Sequence, residues 1–130
     1  MAATYLDSSA IVKLVVDEPE SMALRRLLRR RTPLISSALA RTEVLRALLL
    51  EGDAALARAR AVLNRVDMIR VSDRVLGAAG VLLPSEVRSL DAIHLESARQ
   101  LGPDLGQFVT YDERMLAAAK QLGLKAKRPT

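Results

Sequence analysis

Asp7, Glu43, Asp91 and Asp112 are the residues of this chain with the most capacity for chemistry. Each falls where a small α/β domain would gather distant stretches at one end of its sheet. Converging carboxylates without matching basic residues describe a site for a hard cation, and such a site supports metal-assisted chemistry on phosphate esters. If the four converge, each close pair repels by about 4 kcal/mol at an effective dielectric near 20, and a divalent cation relieves that repulsion. Mg²⁺ or Mn²⁺ suits the set better than zinc. The ligands are oxygens, the chain has no Cys and a single His, and Mg²⁺ keeps waters beside a few carboxylates.

Each acid also has a plainer use. Asp7 and Asp112 follow strand-like segments and precede helical ones, which are N-cap positions. Glu43 and Asp91 fit ordinary helix carboxylates, with Arg46 at i+3 as a partner for Glu43. Against four independent plain uses stand Thr42-Glu43-Val44-Leu45 and Leu90-Asp91-Ala92-Ile93, where an unpaired charge among apolar neighbours is costly. His94 lies three residues from Asp91 on roughly the same helical face; a packing histidine is the preferred reading over a ligand or proton carrier. Arg41, Arg46, Arg88 and Arg114 flank the acids in sequence and serve equally well as grips on phosphate or as surface charges.

These side chains need a scaffold, and the sequence spells one. Thr4-Tyr5-Leu6 reads as a strand, with Asp7-Ser8-Ser9 starting a helix over residues 10–16. Pro19 suits the first turn of a second helix running through Arg25, Arg26, Arg29, Arg30 and Arg31, ended by Thr32-Pro33 before a strand at Leu34-Ile35-Ser36. From Ala38, behind a Ser37 cap, Leu39, Val44, Leu45, Leu48 and Leu49 recur at helical spacing. Gly52-Asp53 ends that helix and starts another, running to about residue 66. Residues 68–71 form a third strand candidate, and Ser72-Asp73 caps a helix reaching about Leu83. Residues 89–98 read as helix, ending near Gly102-Pro103, and 107–110 as the fourth strand. Asp112 opens a last helix with Met115, Leu116, Ala119 and Leu122 inward, Gly123 ends it, and 124–127 add an edge strand. Alternating strands and helices predict an α/β fold, a central parallel sheet of four to five strands flanked by helices with right-handed crossovers. Ligands of such sheets bind past the carboxyl ends of the strands, where the strand order switches.

Composition narrows the partners. At 130 residues and 14.2 kDa the chain suits one domain over residues 1–130. Without Cys there is neither a disulfide framework nor a thiolate site, as suits a reducing cytoplasm. No apolar stretch approaches about 18 residues and the first residues lack a basic signal-peptide region, so a soluble, unexported, cytoplasmic protein is expected, with no membrane partner. A net charge of +5 and a pI near 10.2 favour a polyanionic partner through steering and counterion release. The arginine cluster at residues 25–31 reads either as a solvated helix face opposite Met22, Leu24, Leu27 and Leu28 or as a phosphate track. An aromatic share of 2% predicts an aliphatic core without ring stacking. With Tyr5 and Phe108 in strands, only Tyr111 lies near the acids, which argues against an aromatic stacking platform for single strands.

Four segments carry a family resemblance: Tyr5-Leu6-Asp7-Ser8-Ser9-Ala10, Arg41-Thr42-Glu43-Val44-Leu45-Arg46-Ala47, Leu90-Asp91-Ala92-Ile93-His94-Leu95 and Val109-Thr110-Tyr111-Asp112-Glu113-Arg114-Met115-Leu116. In order and spacing they resemble the PIN-domain nucleases, and more narrowly the VapC toxins of bacterial toxin–antitoxin pairs. The resemblance implies a PIN fold and a Mg²⁺- or Mn²⁺-dependent endoribonuclease in which Asp7, Glu43, Asp91 and Asp112 form the acidic quartet. Asp7 and Asp91 are then the direct metal ligands, Glu43 or Asp112 orients water or holds a second ion, and Ser9 supports Asp7 or binds phosphate. Arg41, Arg46 and Arg114 join Ser9 as candidate contacts to the RNA substrate, and Glu113 beside Asp112 leaves open which of the two faces inward. The resemblance also implies a homodimer and a cognate VapB-type antitoxin that fills the groove.

Other classes fit less well. A phospho-accepting receiver domain would show paired acids after the first strand, where this chain has Asp7-Ser8-Ser9. A haloacid-dehalogenase phosphatase would need a second Asp at Ser9, and a P-loop enzyme a Gly-Lys-Ser/Thr loop that is absent. A housekeeping RNA-processing nuclease and a non-catalytic basic module for RNA or peptide stay open as alternatives, and metal-dependent strand scission separates the last from the rest.

Overall fold

The chain forms a five-stranded parallel sheet in the order β3-β2-β1-β4-β5, in a computed structural model that describes residues 2–30 and 32–130. Arg31, the last residue of the arginine cluster, lies outside the described residues, as does Met1. The strands are β1 (Ala3–Leu6), β2 (Leu34–Ser37), β3 (Asp67–Ile69), β4 (Leu105–Val109) and β5 (Ala126–Lys127). The helices are α1 (Ser8–Val15), α2 (Ser21–Leu27), α3 (Ala40–Leu48), α4 (Asp53–Leu63), α5 (Asp73–Gly80), α6 (Ser89–Arg99) and α7 (Glu113–Gln121), with 3₁₀ turns at Leu49–Glu51 and Gly102–Asp104. None of the described helices is long and apolar enough to cross a membrane.

β1 is central, paired on one side with β2 and on the other with β4. The chain therefore winds outward in both directions from β1, and the carboxyl ends of β1 and β4 border the switch in strand order. Alternation along the strands feeds two cores. Leu6 and Val109 join Ala10, Ile11, Leu24, Val44, Leu48 and Leu63 on one face, whereas Tyr5 and Phe108 join Leu95, Ala98, Met115 and Ala119 on the other.

The expectation of a core without ring stacking does not hold. Tyr5 and Phe108 are register partners in adjacent strands, so their side chains leave the sheet on the same face and stack at 5.1 Å with an interplanar angle of 6°. Two aromatic residues suffice when pairing puts them side by side; such a contact contributes about 0.5–1.5 kcal/mol beyond its burial.

The helix through the arginine cluster is also shorter than its sequence pattern predicts. α2 ends at Leu27 with Leu28 as C-cap, leaving Arg29 and Arg30 past its end, while Arg25 pairs with Asp17 at 3.1 Å. Ser37 closes β2 rather than capping α3 directly; its Oγ accepts from the amide of Leu39, the residue before Ala40, at 3.2 Å. Gly123, at φ +79°, ends the last helix in a conformation that a side chain would strain.

Candidate active site

The chain leaves β1 at Leu6 and turns at once into α1, which leaves the first helical amides without carbonyl partners. Asp7 fills that gap as N-cap, its Oδ1 accepting from the Ala10 amide at 3.0 Å. The Ser9 hydroxyl donates to the same oxygen at 2.7 Å, and the Thr110 hydroxyl, just past β4, donates to Oδ2 at 2.5 Å. Ser9 is itself held by the Tyr111 amide at 2.9 Å, and Thr110 by the Asp112 amide at 3.0 Å. Asp7 is 2% exposed. Burial raises its pKa, against the pull of the Thr110, Ser9 and Ala10 donors that favour the charged form. The capping use of Asp7 is thus real, and so is its place beside the switch point; Asp112 likewise caps α7 through the Met115 amide at 3.0 Å.

Glu43, in the first turn of α3, does not pair with Arg46. Its Oε1 accepts from Ser8 Oγ at 2.6 Å and lies 2.6 Å from His94 Nε2 on α6. Burial pushes the Glu43 carboxyl upward, yet the His94 and Ser8 hydrogen bonds outweigh it and hold the group below the usual glutamate range. Oε2 has no hydrogen bond among the described residues.

Asp91, in the first turn of α6, is half-buried and has no hydrogen-bond partner among the described residues. Its pKa is raised, first by burial and then by the negative charge of Asp112, with Asp7 and Glu43 adding to it and His94 opposing. Asp91 is therefore within electrostatic reach of the other three acids, at the carboxyl edge of the sheet. None of the four is ion-paired to Lys or Arg among the described residues. Asp112 exerts the largest neighbouring charge on Asp91, while Glu113 lines the same concavity, of about 390 Å³, together with Asp91, Asp112, Arg88 and Arg114. Arg41 and Arg46 lie elsewhere, beside Leu45, Leu49 and Leu56 in a separate, mostly apolar concavity between α3 and α4.

Oxygen donors, mutual repulsion and the lack of Lys or Arg counterions fit a hard divalent cation better than a soft one. Among the described residues no three His, Asp or Glu side chains are arranged to hold one ion together. An ion here would rest on about two carboxylates and keep water in its remaining positions, as is usual for Mg²⁺.

Three residues of this edge were not legible as site residues. Thr110 and Ser8 look like generic post-strand hydroxyls, and His94 reads as packing. His94 is buried, at 1% exposed, but both ring nitrogens are engaged: Nδ1 lies 2.7 Å from the Tyr5 hydroxyl and Nε2 2.6 Å from Glu43. The i+3 spacing from Asp91 was the one available signal.

Comparison with known proteins bears on the family and the fold. The PIN domain family model matches residues 4–121. The chain is 60% identical to Ribonuclease VapC46 of Mycobacterium tuberculosis across the full length of both. Among solved structures, Mycobacterium tuberculosis VapC20, described as a sarcin-ricin loop cleaving toxin, superposes with a TM-score of 0.75 at 19% identity, covering 97% of this chain and 99% of that one. A toxin–antitoxin complex from Klebsiella pneumoniae gives 0.73 at 16% identity over 98% of each chain. At those two identities the likeness is one of fold.

Proposed function

This chain belongs to the PIN-domain family, as a VapC-type ribonuclease, and from that premise we propose that it is a divalent-metal-dependent endoribonuclease toxin, silenced by a cognate VapB-type antitoxin. We take residues 1–130 as one catalytic domain that works in the cytoplasm, as a homodimer. The observation that carries the reading is the acidic edge without Lys or Arg ion pairs among the described residues: four carboxylates from remote stretches, one of them, Asp91, driven toward its protonated form by burial and then by the charge of its acidic neighbours.

Asp7 and Asp91 would hold the ion, Mg²⁺ or Mn²⁺. That ion supplies Lewis acidity toward the scissile phosphate and lowers the pKa of water in its shell. The protein's own groups do the rest. Ser9 and Thr110 keep Asp7 oriented by donating to Oδ1 and Oδ2 respectively. Glu43, whose Oε2 has no hydrogen bond among the described residues, or Asp112 would orient the attacking water and accept its proton or hold a second ion. Arg88 and Arg114, at the mouth, would offset the repulsion that the acids exert on an incoming phosphate chain, and Arg41 and Arg46, beside a separate concavity, would contact RNA only away from that mouth. Attack by water leaves a 5′-phosphate and a 3′-hydroxyl and needs no ribose 2′-hydroxyl, so the choice of RNA rests on the family.

The test is cleavage of a structured RNA by the purified chain with and without Mg²⁺, with the new ends sequenced. Mg²⁺-dependent 5′-phosphate ends, lost in Asp91→Asn, support the proposal. RNA binding without scission at any divalent cation would instead identify a binding module.

A further inference from the structure

His94 joins the buried core to the acidic edge, and its bonding has a direction. The Ser37 amide donates to the Tyr5 hydroxyl oxygen at 3.0 Å, which leaves the Tyr5 proton free to go to His94 Nδ1, 2.7 Å away. With Nδ1 an acceptor, the ring's proton resides on Nε2 and points at Glu43 Oε1, 2.6 Å away. Ser8 donates to the same oxygen. Two donors on one carboxylate oxygen fix the plane and rotamer of Glu43 and leave Oε2 without a hydrogen bond among the described residues.

We propose that His94 is the positioning residue for Glu43, a fixed Nε2–H donor whose tautomer is dictated from the core by the Tyr5–Ser37 relay and which aims the free Glu43 oxygen at water or metal. The proposal rests on the reading of this edge as a metal-dependent nuclease site. Stability alone does not call for the arrangement. Glu43 keeps access to solvent, with 24% of its side chain exposed, so water can solvate the carboxylate when its buried partner is removed. Ser36 Oγ, buried and without a hydrogen-bond partner among the described residues, stands near the Tyr5 hydroxyl and offers it another acceptor if the ring is removed.

Outer-sphere partners of this kind typically alter metal affinity or activity by about 10–100-fold. The experiment compares the parent chain with His94→Leu and His94→Gln by Mn²⁺ titration calorimetry and by RNA cleavage. The Gln amide nitrogen lies the same number of bonds from Cβ as Nε2 and can donate to Glu43; Leu cannot. The expected result is a loss of about 10–100-fold in Mn²⁺ affinity and kcat for His94→Leu with KM for RNA little changed, and recovery of most of it in His94→Gln. Equal impairment of both variants, or none in either, would overturn the proposal. Because the chain has a single histidine, ¹⁵N NMR of the metal-free parent reads the tautomer without any substitution: Nε2–H is expected, and an Nδ1–H ring would overturn it. A parent that binds no Mn²⁺ would overturn the proposed function itself and this role with it, whereas a parent that binds and cleaves while both variants match it refutes only the role of His94.

Discussion

Glu43 and Asp91 are both half-buried carboxylates in the first turn of a helix, at the same edge of one sheet, yet the protein treats them in opposite ways. Glu43 receives two donors and is held ionised; Asp91 receives none and is pushed toward protonation by burial and by Asp112. The difference teaches where the site is already built and where it is incomplete. The half that faces α1 and the buried ring of His94 is organised by protein hydrogen bonds alone. The half that opens between α6 and α7 carries negative charge that forms no ion pair with Lys or Arg among the described residues, though Arg88 and Arg114 line the same concavity, and a cation would complete it.

The sharpest break in that comparison is Asp91→Asn. Removing a direct ligand should exceed the roughly 100-fold loss that bounds removal of an outer partner, read as initial rates of Mg²⁺-stimulated RNA cleavage. A variant cutting within a few-fold of the parent would show that the open half is not the metal side.

Next in size is the response to metal. At a free concentration a hundred times its Kd, Mg²⁺ should stabilise the parent by about 2.7 kcal/mol, seen as a thermal shift of several degrees that Asp91→Asn largely abolishes. Without metal the same variant should melt no lower than the parent, because it removes a repelled charge.

The dependence of stability on pH should then carry opposite signs for the two halves. Asp7 and Asp91 have raised values in the fold, so their contribution is full below the ordinary carboxylate range and is lost as pH rises through the raised folded values. Glu43 has a lowered value, so its contribution is present above the ordinary range and lost as pH falls through the depressed one. Thermal melts of the metal-free protein across that range should flatten on the alkaline side in Asp91→Asn and on the acid side in Glu43→Gln.

The smallest effect is expected for Ser8→Ala, which takes one of two donors from Glu43 Oε1. A cost of at most about 0.5–1.5 kcal/mol in stability is expected, since His94 remains in place. A loss as large as that from His94→Leu would mean that Ser8 rather than His94 holds the carboxylate.

Particular residues show why some of this was legible. Asp7 and Asp112 announce themselves twice, as caps after strand-like segments and as blocks of the PIN-like pattern, and both are caps in the fold. Ser72 and Gly123 mark helix ends by local chemistry that the fold reproduces. The early end of α2 was missed because its arginine-rich pattern stays amphipathic past Leu27, and pattern alone does not say where packing stops.

Composition, capping residues and apolar periodicity act between near neighbours, so the chain by itself determined its alternating elements, its parallel sheet and the four acids in their order. The Tyr5–His94 bond spans 89 residues, the Thr110–Asp7 bond 103 and the His94–Glu43 bond 51. No local rule reaches that far. Only the strand order, with β1 between β2 and β4, decided which hydroxyls meet which carboxylates, and hence which acid is held charged by hydrogen bonds and which one is left facing its neighbours' charge.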